Sequence, residues 1–71
     1  MKFTVVIERD EDGYLIASVL ELPGCHTQAR DLNELMNRIR EAIKLYLETE
    51  GVPVKEKIEL VGVQFVEVPV K

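Results

Sequence analysis

The sequence predicts a small α+β domain in the order β-β-β-α-β. A three-stranded antiparallel sheet would carry one helix on one face, followed by a C-terminal strand. Three observations carry this. Met1 to Arg9 and Tyr14 to Leu20 are strand-like runs on either side of the turn Asp10-Glu11-Asp12-Gly13. Asp31 to Glu50 repeats apolar residues at helical spacing. Ile58 to Val70 is rich in β-branched residues. Seventy-one residues make one domain, 1–71.

In the first run, Phe3, Val5 and Ile7 alternate with Lys2, Thr4 and Glu8, which gives one apolar and one mostly wet face. Val6 interrupts the polar side and is expected to meet a partner or cover the second face. Asp12-Gly13 is a hairpin signal, because glycine takes positive φ without a steric penalty. In the second run, Tyr14, Ile16, Ser18 and Leu20 point one way, and Leu15, Ala17 and Val19 the other. Apolar residues on both sides predict a central strand.

Leu20 to Ala29 turns the corner between sheet and helix. Pro23 removes a backbone donor and Gly24 supplies turn freedom. Cys25 to Ala29 then reads as a third strand, antiparallel to the second. Asp31 is a good N-cap, and Glu34 three residues on would complete a capping box. Leu32, Leu35, Met36, Ile39, Ala42, Ile43, Tyr46 and Leu47 form one stripe, and Leu45 lies off it as a partner contact. Gly51 is the expected C-cap, Pro53 blocks continuation, and Lys55-Glu56-Lys57 reads as a solvated bend.

The apolar phase of the last run changes between Gly62 and Val66. A β-bulge would cause this, and so would burial of both faces by a second subunit. A long bare apolar edge strand is an aggregation hazard, so a partner chain is expected to cover it. Size points the same way. A chain of about 60 residues buries only about 60% of its unfolded surface. Small domains therefore lean on disulfides, metals, very ideal packing or partner subunits. Cys25 is the only cysteine and His26 the only histidine, which leaves a partner chain as the remaining common solution. Homodimers or higher oligomers are expected, with Val61, Val63, Phe65, Val66 and Val68 at the interface.

The acidic balance, 13 Asp and Glu against 9 Lys and Arg, argues against nucleic acid as a direct ligand and suits a basic protein partner. No apolar run is long enough to span a bilayer, no secretory signal opens the chain, and a single thiol suits a cytoplasmic location.

No catalytic set emerges. A Cys25–His26 dyad would need both side chains within reach, but strand neighbours point to opposite faces. Two ligands are too few for zinc. Glu8, Asp10 and Asp12 have no second group of carboxylates with which to hold two metals. The four glycines are scattered, and Arg38, Arg40 and Lys44 are offset by Glu34, Glu41 and Glu48. The residues point to a binding module with no cofactor, not an enzyme.

Glu21-Leu22-Pro23-Gly24-Cys25 and Thr27-Gln28, followed by a helix with Glu41-Ala42-Ile43 and Tyr46-Leu47-Glu48, resemble the HicB family of antitoxins. Asp12-Gly13-Tyr14 and the strand Ile16 to Leu20 extend the likeness, which is strongest from Gly13 to Glu48. Ala29 stands where a glycine is common in that family, and Asp31 replaces the usual cap. The resemblance implies a partial ribonuclease-H-like fold without that enzyme's catalytic carboxylates. It also implies oligomers, and tight binding to a small basic RNA-cleaving toxin of the HicA type. Many members add a C-terminal DNA-binding domain. This chain ends at Lys71, so the short stand-alone form is expected. Charge complementarity marks Asp10, Glu11, Asp12, Glu34 and Glu41 as toxin contacts. The alternative is an oligomerisation or interaction module with no toxin.

Overall fold

A computed structural model of the chain describes residues 1–52 and 58–70. Strand β1 (Val5–Arg9) pairs antiparallel with β2 (Leu15–Val19), which pairs antiparallel with β3 (His26–Ala29). The sheet order is β1-β2-β3, so β2 is central, as its two apolar sides predict. Helix α1 (Leu32–Glu50) lies across β3 and β2 and does not reach β1.

Both turns follow local chemistry. Asp10 and Tyr14 form the last pair of the first hairpin, through a 2.9 Å bond from the Asp10 N–H to the Tyr14 carbonyl. Three residues close the loop, with Gly13 at φ 88°. The Asp10 carboxylate accepts from the N–H groups of Asp12 and Tyr14, both at 2.9 Å, an Asx turn that replaces missing backbone partners. After β2, the Cys25 N–H donates to the Leu22 carbonyl at 3.0 Å across Pro23-Gly24. Proline at the first central position and Gly24 at φ 83° at the second make a type II turn.

The core joins the turn, sheet and helix. Ala17, Val19, Leu22, Cys25, Ala29, Leu35 and Ile39 are buried, with Phe3, Val5, Leu15, Met36, Ala42, Ile43, Tyr46 and Leu47 around them. The helical stripe therefore packs as its spacing predicts, except that Leu32, in the first turn, stays exposed. Asp31 caps the helix by accepting from the Glu34 N–H at 2.8 Å. The expected return bond of a capping box is not made. The Glu34 carboxylate turns to Arg38 instead, at 2.9 Å. Gly51 closes the helix at φ 82°, donating to the Leu47 carbonyl. Pro53 and the Lys55-Glu56-Lys57 bend lie outside the described residues.

The C-terminal strand requires a correction. Residues 58–70 form no strand and pair with none of the three. Val61 is 93% exposed and Phe65 96%. Valine-rich composition favours a pleated, half-buried surface, but a strand exists only where a neighbour accepts its backbone bonds. Among the described residues no neighbour does. No ladder therefore exists at Gly62 to Val66 in which a bulge could form.

Candidate protein-binding surfaces

The acidic residues singled out by charge fall into two groups. Asp10, Glu11 and Asp12 sit together at the β1–β2 tip. Glu34 and Glu41 lie on α1, two turns or about 10 Å apart. Leu15 pairs with Ala29, directly before the helix cap, so the tip and the start of α1 share one end of the molecule. Tyr14 and Arg30 bridge them. The Arg30 guanidinium donates to the Tyr14 hydroxyl at 2.9 Å and lies 4.6 Å from the ring centroid.

These carboxylates are not equally free. Asp10 is half-buried and committed to its turn. Glu34 is committed to Arg38. Glu11, Asp12 and Glu41 are exposed.

Cys25 and His26 separate as strand geometry requires, with the thiol buried and the imidazole exposed. Burial raises the thiol pKa, which keeps the sulfur protonated and a poor nucleophile. Among the described residues, no three His, Cys, Asp or Glu side chains gather to hold a metal. Likewise, no helix there is long and apolar enough to cross a membrane.

Two apolar surfaces remain. The first is residues 58–70, where the expected interface residues Val61, Val63, Phe65, Val66 and Val68 are all exposed. The second is Leu45, at 64% exposure. It lines a shallow groove of about 290 Å³ with Cys25, His26, Ala42, Tyr46 and Thr49.

Three features were not anticipated. Leu22 sits in what reads as a turn, yet its side chain is 0% exposed and plugs the core. The one signal is an apolar residue directly before Pro-Gly; strand alternation alone would put it on the side opposite Ala17 and Val19, and the turn redirects it. Glu21 clamps the start of β1, accepting from the Thr4 N–H at 2.7 Å and the Thr4 hydroxyl at 2.8 Å. Burial pushes its carboxyl pKa up, but these hydrogen bonds outweigh that and hold it below the ordinary value. Finally, Arg38 reaches from α1 to the Gln28 carbonyl at 3.2 Å, covering part of the edge of β3.

Residues 3–65 match the family described as HicB-like antitoxin of bacterial toxin–antitoxin systems. A UPF0150 protein of Archaeoglobus fulgidus is 58% identical over 71 residues, covering 96% of each chain. A UPF0150 protein of Synechocystis is 43% identical over 63 residues, covering 89% of this chain and 88% of that one. Another from Thermoplasma acidophilum is 49% identical over 49 residues, covering 69% and 71%. No solved structure matches the chain.

Proposed function

The chain belongs to the HicB-like antitoxin family, and on that premise we propose that it binds and neutralises a small basic RNA-cleaving toxin of the HicA type. It acts in the cytoplasm, by occupying the toxin's surface and not by catalysis. The observation that carries this reading is the family match across residues 3–65. The acidic balance supports it, because a net charge of −4 favours a basic partner.

Asp10, Glu11, Asp12, Glu34 and Glu41 contact the toxin in this reading. Glu11, Asp12 and Glu41 contribute most, since their charges are not used inside the fold. Rim charges of this kind govern encounter more than lifetime. Glu11→Lys with Asp12→Lys should slow association and flatten its salt dependence while dissociation changes little. Unchanged association and salt dependence would remove these residues from the interface.

The direct test is co-purification with the product of the adjacent small basic gene, combined with rescue of that product's toxicity. A complex and rescue are expected. No complex and no rescue would overturn the toxin reading.

Residues Val61, Val63, Phe65, Val66 and Val68 serve a homodimer or higher homo-oligomer. Light scattering at micromolar concentration should report more than one chain per particle. The exposed 58–70 segment also favours the second reading, an oligomerisation module without a toxin. A gene neighbourhood with no small basic reading frame would select it.

A further inference from the structure

We propose that residues 58–70 of one chain add as a fourth strand to the outer edge of β1 in a second copy, which returns the same contact. This rests on the reading of residues 61–68 as an interface between copies. It does not rest on toxin capture.

The hydrogen-bond parity of the sheet identifies the receiving edge. In an antiparallel ladder, bonded pairs alternate along the strands. Leu20 donates to the Thr4 carbonyl and Asp10 to the Tyr14 carbonyl, so the even residues of β1 face β2. The N–H and C=O groups of Val5, Ile7 and Arg9 therefore face away from the sheet. No described residue of the chain pairs with them.

The opposite edge is less available. The same parity turns His26 and Gln28 of β3 outward, and the Arg38 guanidinium already occupies the Gln28 carbonyl. An incoming strand would have to displace it.

Side chains agree with the backbone. Ile7 lies opposite Ala17, which is fully buried on the helix-facing side. Ile7 is nevertheless 43% exposed, because α1 packs on β2 and β3 only. The helical layer thus stops one strand short. A strand laid beside β1 would bring Val, Leu or Phe side chains over Ile7 and Val5. Its opposite side chains would join Val6 and Ile16 on the second face. A segment with apolar residues in both phases, such as 60–68, suits a position covered on both sides.

The occupant is a second copy for two reasons. The segment leaves its own β1 edge unpaired. Each chain also offers one segment and one open edge, so two copies related by a twofold axis satisfy both.

The test uses the full chain. Isotope-labelled and unlabelled protein are mixed, sized by sedimentation, and studied by isotope-filtered NMR. A dimer is expected, with intermolecular contacts from the Val5–Arg9 amides of one chain to Val and Phe protons of residues 58–70 of the other. V63P with Q64P removes a donor of each parity from a stretch that pairs with no described strand and is largely exposed. It should abolish the dimer and leave the resonances of residues 1–50 folded. A wild-type monomer overturns the inference together with the interface reading. A dimer whose β1 contacts arise within one chain, or that survives V63P with Q64P, overturns the inference alone. A β1 edge occupied only when another protein is added also overturns it.

Discussion

The folded body and the 58–70 segment carry similar apolar runs with opposite outcomes. Val5-Val6-Ile7 is held in a sheet, while Val61 to Val68 pairs with no described residue. The difference lies in what surrounds each run. The body has a three-residue hairpin loop, a type II turn and a capped helix, each bringing a neighbour within reach at small loop-closure cost. Among the described residues, the segment has no neighbouring strand to pair with.

The contrast predicts where substitutions hurt. A 71-residue domain has about 4–10 kcal/mol of stability. Leu22→Ala and Leu35→Ala should each cost about 2–5 kcal/mol in urea unfolding. If Leu22→Ala proved harmless, the turn would not be part of the core. Gly24→Ala comes next. A Cβ there meets nothing, so the expected cost of about 1–2 kcal/mol is purely that of left-handed backbone.

Glu21→Gln should cost about 1 kcal/mol at neutral pH by weakening the clamp on Thr4. The carboxyl pKa is lowered in the folded chain, so the carboxylate stabilises the fold above its unfolded pKa. That contribution is lost as pH falls through the folded pKa. The urea midpoint of the wild type should therefore fall more on acidification than that of Glu21→Gln, and parallel curves would contradict the clamp. The smallest effect is expected at Phe65→Ala. At concentrations where the chain is monomeric, it should change unfolding by less than about 0.5 kcal/mol. A larger loss would mean that the segment packs on its own body.

Much of the body was legible from residue order. Alternation located β1 and β2, Asp31 and Gly51 bounded the helix, and Pro23-Gly24 marked the turn. Local rules suffice where the partner is close in sequence. They failed at Glu34, where two acceptable partners compete and the guanidinium four residues away wins over the Asp31 N–H. They failed again at residues 58–70, where strand-like composition says nothing of who supplies the hydrogen bonds. Charge alone marks the acidic candidates, and residue order does not show that Asp10 and Glu34 are already engaged.

The guanidinium of Arg38 has a consequence for how many sheet edges stay open. A sheet open at both edges can accept strands indefinitely and grow into fibres. Here one side is plugged by a cation that Glu34 holds in place. Exchange of the proposed kind, if twofold, would use up both β1 edges, and growth from the β3 edge would first have to displace that cation.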